Sequence, residues 1–272
     1  MGKVSGDIEN KNNKEPFRYI HYGKMSKGMI SAVILTHNDE KTIEKTLESV
    51  RFCDEVVVID DDSKDKTVEI AKKFTSKIFT HEVKDDFAAQ RNFGLSKAKG
   101  EWVFYIDSDE VVSDKLAKEI KKSIKIGDGY YLKRNDFVFG RFLKHGETSR
   151  VRLLRLGRKG TGIWQRPVHE TWNITGAVGT LSEPLLHFPH PNVAQFIEEI
   201  NTYSTINAHF LFNQKIQCPW WHIIAYPKAK FFLNYFWYLG FMDGTAGAVS
   251  AIMMSMHSFL TRAKLYLLWH KK

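Results

Sequence analysis

The stretch GEWVFYIDSDE, residues 100–110, decides how this chain is interpreted. Five apolar residues, Trp102 to Ile106, run without a break and are followed by two carboxylates, Asp107 and Asp109. A short, continuously apolar run bounded by polar residues is typical of a strand covered on both faces, as in parallel sheets. Ligands of such sheets bind outside the carboxyl ends of the strands. The stretch therefore predicts a buried central strand that carries two acids to a ligand.

The spacing of these two acids suggests a cation. In extended backbone, residues two apart point the same way, so Asp107 and Asp109 are expected to face one ligand. Carboxylates that share a divalent ion with substrate phosphates are the usual protein ligands of Mg²⁺ and Mn²⁺. The competing interpretation is a strand that simply ends in a solvated acidic turn, and the stretch alone does not decide between the two.

Strands and helices alternate through the first half of the chain. Apolar runs predict strands at 30–35, 55–59 and, shorter, 78–79, and periodic apolar positions predict helices near 43–50, 68–74 and 87–98. This order is typical of βαβ units, so the fold class is α/β with a mostly parallel central sheet flanked by helices. Neither Gly-x-Gly-x-x-Gly nor Gly-x-x-x-x-Gly-Lys is present, which argues against a glycine loop around phosphates. A metal on the acids after residue 106 is the natural substitute.

Composition divides the chain into three parts. With 272 residues and 43% hydrophobic residues, it is long enough to bury a core. We expect a polar tail over 1–28, the α/β domain over 29–215 and an aromatic, basic helical segment over 216–272. The formal charge is +9, but from Lys215 onward there is one acid, Asp243, among many aromatics. That pattern favours an anionic membrane surface over nucleic acid.

The helical segment contains 17 residues without a charge, 245–261, if His257 is neutral. This length is at the lower limit for a membrane-spanning helix, about 17–25 residues. We favour interfacial or re-entrant helices flanked by Lys228, Lys230, Arg262 and Lys264. A membrane span and a homodimer contact are the alternatives.

Four motifs in the first half resemble those of family 2 glycosyltransferases, which have the GT-A fold. They are ILTHNDE (34–40), VIDDDSKDKT (58–67), QRNFG (90–94) and YIDSD (105–109). One difference is Asp62, where the family usually has glycine. Further along, GYYLKRN (129–135), FLKHG (142–146), RLLR (152–155), PVHE (167–170) and GFMDG (240–244) are similar to a bacterial lipopolysaccharide-core β-glucosyltransferase subgroup.

The resemblance implies roles for the donor-side residues. Thr36, Asn38 and Asp60 would line a nucleoside pocket, since a carboxylate after the second strand can accept from a uracil N–H or a ribose hydroxyl. Asp107 would contact ribose or the donor sugar, and Asp109 would hold Mn²⁺ or Mg²⁺ on the diphosphate. For Asp60 the competing interpretation is an ordinary acidic loop.

The resemblance also places a base in the PVHE motif. Glu170 is our candidate for the residue that deprotonates the acceptor hydroxyl, with His169 as a metal or phosphate contact. In the alternatives His169 is the base, or both residues are structural. Arg91 is predicted to reach a phosphate or to lie on a helix surface, and Arg152 to bind phosphate or to lie on a solvated edge strand with Arg150 and Arg155.

Together these features predict an inverting, metal-dependent enzyme that transfers a hexose from a nucleotide-diphosphate sugar, expected to be a UDP-sugar. The acceptor would be a lipid-linked or lipopolysaccharide-type glycan. The alternative is a non-catalytic nucleotide-sugar-binding or membrane-binding module with the same fold. The first 28 residues lack the apolar run of a secretory signal, and two cysteines suit a reducing compartment. We therefore expect a cytoplasmic protein on the inner face of the membrane.

Overall fold

The computed structural model describes residues 26–84, 86–167, 170–189 and 192–270. Most of the predicted tail, residues 1–28, lies outside these ranges, as does His169.

Strands supply the main framework. In chain order they are β1 (Ser26–Thr36), β2 (Glu55–Asp60), β3 (Ile78–Thr80), β4 (Gly100–Asp107), β5 (Glu110–Val111), β6 (Gly129–Val138), β7 (Arg141–Phe142), β8 (Arg152–Arg158), β9 (Gly162–Gln165), β10 (Thr171–Ile174), β11 (Val178–Thr180) and β12 (Leu185–His187). The helices are α1 (Ile43–Ser49), α2 (Thr67–Ala71), α3 (Phe87–Lys97), α4 (Asp114–Ser123), α5 (Val193–Asn213), α6 (His222–Phe232) and α7 (Gly244–His270).

The main sheet changes character at β4. Its order is β3-β2-β1-β4-β8-β6-β12-β5, and the first four strands are parallel. Beyond β4 the sheet is mixed, because β8 is antiparallel to both β4 and β6. The predicted parallel sheet is thus confirmed for the first half, and the second half adds antiparallel strands. The carboxyl ends of β1, β2 and β4 open at one edge.

β4 is covered on both faces, as its unbroken apolar run predicts. Trp102 and Phe104 are buried in a cluster that includes α1 and α4 residues. Val103 and Tyr105 point to the other face, where α3 and the β9–β10 hairpin cover them. Alternation along the strand thus divides one apolar run between two cores.

α3 lies unusually close to the sheet. A Cβ at Gly94 would come within 2.6 Å of Val33 Cγ1, so this position has room only for glycine. Asp86 caps the start of this helix, and its side chain accepts the Ala89 N–H at 2.9 Å. This close packing holds Arg91 under the open edge of the sheet.

The C-terminal helices pack mainly on one another and on the β6–β7 hairpin. Phe196 and Ile200 of α5 meet Met253 of α7, and Ala246 packs between Val138 and Leu143 of the hairpin. The long C-terminal helix is present, yet in the part of the chain that the structure describes no helix combines the length and hydropathy needed to cross a bilayer.

Candidate functional site

The loops after β1 and β2 interlock to form one wall of the site. Asn38 adopts a left-handed conformation (φ 56°), and its Oδ1 accepts the Lys64 N–H at 2.8 Å. Thr36 Oγ1 donates to Asp39 Oδ2 at 2.8 Å. Asp62 also has a positive φ, 54°, which explains why glycine suits this position and why aspartate, which tolerates the region, can replace it.

Asp60 stands out in this wall because one of its oxygens has no partner. The residue is 2% exposed, and its Oδ2 accepts the Ser63 N–H at 3.1 Å. Its Oδ1 is buried and accepts no hydrogen bond from the described residues. An unsatisfied buried acceptor costs about 1–3 kcal/mol, so the site is suited to a ligand that brings a donor.

Four charged side chains, Glu170, Arg91, Asp107 and Arg155, form a chain of ion pairs at the end of β4. Arg91, 4% exposed, donates through Nε to Glu170 Oε1 at 2.7 Å and through Nη2 to Asp107 Oδ1 at 3.0 Å. Arg155 donates to both oxygens of Asp107. Arg91 is therefore not on a helix surface, and its Nη1 remains buried without an acceptor among the described residues.

The network keeps both acids ionised. Burial raises the pKa of Glu170, but the charges of Arg91 and Arg155 outweigh it and leave the pKa below its ordinary value. Burial likewise opposes ionisation of Asp107, and Arg155 and Arg91 hold the pKa of that carboxyl well below its usual range. At neutral pH each acid is a carboxylate.

A β-bulge brings Arg155 into this network. Tyr130 pairs with Leu156 and Tyr131 with Leu154, so Arg155 is an extra residue on β8. Bulges re-aim side chains, and this one directs a guanidinium toward Asp107. Arg152, three residues earlier, is exposed and is brought into no ion pair within the described ranges. Arg150 lies over the Tyr238 ring at 4.8 Å.

Asp109 belongs to a second group that the sequence did not reveal. His187 donates through Nε2 toward Asp109 Oδ2 at 3.2 Å, and its Nδ1 lies 2.8 Å from Asp136 Oδ1. Burial lowers the pKa of His187, but Asp109 outweighs it and raises the pKa to about 10. Sequence distance hid this pairing, and none of the motifs singled out in the sequence contains His187.

Glu110 is also new to the site. It is fully buried, and its Oε2 accepts the Asp107 N–H at 2.9 Å. Burial and the charge of Asp107 raise the pKa of Glu110. It therefore braces the backbone between the two aspartates.

The acids at the end of β4 fit a divalent cation only if substrate phosphates and water supply the other ligands. Among the described residues no three His, Cys, Asp or Glu side chains gather as a metal site. Asp107 is occupied by arginines, whereas Asp109 is 30% exposed and has one oxygen on His187. One or two carboxylates completed by substrate phosphates and water is an ordinary arrangement for Mg²⁺. Asp109 fits that role, and His169 lies outside the described residues.

Comparison with known proteins gives a consistent result. Residues 31–171 match the sequence family described as Glycosyl transferase family 2. The chain is 28% identical over 247 residues to the lipopolysaccharide core biosynthesis glycosyltransferase LpsC of Rhizobium meliloti (strain 1021). This match covers 87% of this chain and 92% of LpsC. It is 27% identical over 267 residues to an uncharacterized glycosyltransferase of Rickettsia bellii (strain RML369-C), over 87% of this chain and 85% of that one. A crystal structure of S. aureus TarS 1–349 with UDP-GlcNAc aligns with a TM-score of 0.46 at 20% identity, over 66% of each chain.

Proposed function

Because this chain belongs to glycosyl transferase family 2 and is a glycosyltransferase with a GT-A-like fold, we propose that it transfers a hexose from a UDP-sugar to a lipopolysaccharide-type glycan, with inversion at the anomeric carbon. The observation that carries the proposal is Glu170, an ionised carboxylate held by buried Arg91 beside the acidic end of β4. These retained acids favour the enzyme over the non-catalytic module.

The nucleoside end of the donor is assigned to Asp60. Its unpartnered Oδ1 can accept from the N–H of uracil or from a ribose hydroxyl. The interlocked loops at Thr36 and Asn38 complete this wall. Nη1 of Arg91 makes no hydrogen bond to a described residue, and its N–H groups suit an oxygen of the nucleotide-sugar.

Asp109 is assigned to a Mn²⁺ or Mg²⁺ ion. Such a cation would stabilise the charge that grows on the leaving diphosphate. Asp109 is ionised, because burial, which raises its pKa, is outweighed by His187. His187 and Asp136 orient that carboxylate from behind.

Glu170 is assigned as the base. In the transfer step the acceptor hydroxyl oxygen bonds to the anomeric carbon, the bond from that carbon to the diphosphate oxygen breaks with its electron pair, and the hydroxyl proton passes to Glu170. Oε1 is engaged by Arg91, so Oε2 is the oxygen we assign to the proton. Arg91 also fixes the direction in which the carboxylate points.

The acceptor and the membrane contact are inferred from two observations. Similarity to LpsC supports a lipopolysaccharide-type acceptor. The helical segment exposes many large apolar side chains, among them Trp220, Trp221, Phe236, Trp237 and Phe241, with Lys228 exposed nearby in sequence. Exposed apolar side chains with basic residues nearby suit an anionic bilayer surface, which would place the enzyme peripherally on the cytoplasmic face.

A donor panel tests the proposal. Nucleoside diphosphates and their sugars are screened by thermal shift and by sugar release, with Mn²⁺ and with chelator. We expect UDP compounds to stabilise the protein and Mn²⁺ to strengthen the effect, and Asp109→Ala to remove the Mn²⁺-dependent part. Normal transfer by that variant in chelator would contradict the metal assignment.

Glu170→Gln tests the base. Glutamine can still accept from Arg91 but cannot take a proton, so turnover should fall about 10²–10⁴-fold with donor affinity nearly unchanged. Glu69→Gln, an exposed position on α2, is the matched control. Undiminished turnover in Glu170→Gln would exclude this residue as the base.

A further inference from the structure

A cleft lies beside Asp109, on the side of that residue formed by α1 and β5. Its volume is about 110 Å³. The lining includes Lys41, Thr42, Lys45, Asp109, Val111 and Phe188. None of these except Asp109 has a part in the donor site described above.

Two lysines give the cleft positive charge. Lys41 and Lys45 are both exposed, and neither forms an ion pair with any of the described residues. The one acid in the lining, Asp109, is already engaged by His187. A concave surface with charge of one sign concentrates ligands of the opposite sign. Lysine ammonium groups suit carboxylate or phosphate oxygens.

One wall of the cleft is aromatic. Phe188 is 37% exposed, and its ring packs against Phe137 and Phe142 with centroids 5.6 and 5.9 Å away. Those two rings are themselves 5.0 Å apart. Phe188 is therefore held in place while part of its ring stays open. A fixed flat apolar surface suits the C–H face of a pyranose ring, which binds with its hydroxyl groups directed outward.

The sheet order places one side of the cleft, formed by Val111 and Phe188, away from the nucleoside wall, whereas Lys41 and Lys45 lie around the start of α1, after the β1 loop of that wall. Asp60 ends β2, while Val111 belongs to β5 and Phe188 follows β12, which lie at the opposite end of the sheet. Asp109 lies between the two, after β4. A donor with its base on Asp60 and its phosphates near Asp109 leaves the cleft for the other substrate.

We propose that this cleft binds an acidic sugar of the acceptor, with its carboxylate or phosphate on Lys41 and Lys45 and its ring against Phe188. The inference rests on the proposed function, because it assigns the cleft to the acceptor of that reaction. It makes the negative charge of the acceptor a requirement for recognition.

Direct binding to the full chain tests the assignment without relying on turnover. The acidic probes are methyl glucuronide and glucose 6-phosphate, and their neutral counterparts are methyl glucoside and glucose. Binding is measured by saturation-transfer NMR. UDP is titrated in parallel. The variants are the double substitution Lys41→Ala with Lys45→Ala, and Phe188→Ala. The matched control is Lys118→Ala with Lys122→Ala, two exposed lysines with the same spacing on α4.

The lysine pair variant should weaken the acidic probes about 10-fold, which corresponds to the loss of one charged hydrogen bond. The same variant should bind the neutral probes and UDP as the parent protein does, and the Lys118→Ala with Lys122→Ala control should bind every probe like the parent. Phe188→Ala should weaken the binding of acidic and neutral probes alike. Equal binding of acidic and neutral probes to the parent would overturn the proposal. So would a loss of UDP affinity in the lysine variant, which would assign the cleft to the donor diphosphate. Failure of the parent to bind UDP would instead count against the proposed function.

Discussion

Large aromatic side chains are buried in one region of this molecule and exposed in the other. In the α/β region, residues 26–187, Trp102 is 1% exposed and Phe104 is fully buried. In the helical region, residues 192–270, Trp220 is 65% and Trp237 is 71% exposed. The first region uses its largest apolar groups to build a core, whereas the second presents them to its surroundings. Exposed aromatic surface on this scale is typical of an interaction site.

The two regions are nevertheless tied together by a polar joint. Asp243 is 1% exposed, and its Oδ2 accepts the N–H groups of Lys144 and His145 at 3.0 and 2.8 Å. Asn234 Oδ1 accepts the Glu147 N–H at 2.8 Å in the same way. The GFMDG motif thus holds the loop after β7. The two regions therefore form one joined structure despite their difference in aromatic exposure.

The largest expected effect comes from emptying the core. Phe104→Ala should lower the free energy of unfolding by about 3–5 kcal/mol, because a buried aromatic is lost and a cavity remains. Urea denaturation measures the change. Trp237→Ala is the comparison and should cost far less, since that side chain is largely exposed. Similar losses in both variants would remove the contrast between the regions.

A smaller effect is expected at the joint. Asp243→Ala removes a charged acceptor from the partly buried N–H groups of Lys144 and His145 and should cost about 1–3 kcal/mol. Limited proteolysis should then cut the loop 143–150 faster than in the parent protein, while Glu69→Ala, on an exposed face of α2, leaves the rate unchanged. An unaltered cleavage rate in the Asp243 variant would show that the regions are held together by their apolar contacts.

The smallest effect on stability should accompany a loss of membrane binding. Trp220→Ala and Trp237→Ala should each change the free energy of unfolding by no more than about 0.5 kcal/mol. Each should weaken flotation with anionic vesicles. Ile126→Ala, at an 85% exposed position in the α/β region, is the control. Flotation that persists in both tryptophan variants, or that salt alone abolishes, would indicate binding by surface charge instead. A concentration-dependent change of mass without vesicles would indicate a dimer surface.

The sequence predicted best where periodicity carries the information. The central strand, the strands and helices around it and the position of the acidic edge all follow from apolar spacing, because β4 and its neighbours are buried on both faces. The helix with Arg91 was predicted as well, but the choice between phosphate contact and surface needed the tertiary structure. That structure shows an arginine buried between two acids.

Long-range partners were beyond the sequence for a physical reason. His187 meets Asp109 from a strand 78 positions away, and that contact depends on how β12 pairs with both β5 and β6. Arg155 was one of three arginines with similar spacing, and only the register of β8 separates it from Arg152. Apolar periodicity does not encode such a register shift.

The bulge at Arg155 has a consequence for engineering. The extra residue changes which positions of β8 face each side of the sheet. Odd-numbered and even-numbered residues exchange faces at that point, so Leu154 and Leu156 point to opposite sides. A chimaera whose crossover falls in β6 or β8 must therefore keep both strands from the same parent. Removing the Arg155 codon would leave Leu154 and Leu156 opposite their partners on β6 and would take away the guanidinium that binds Asp107.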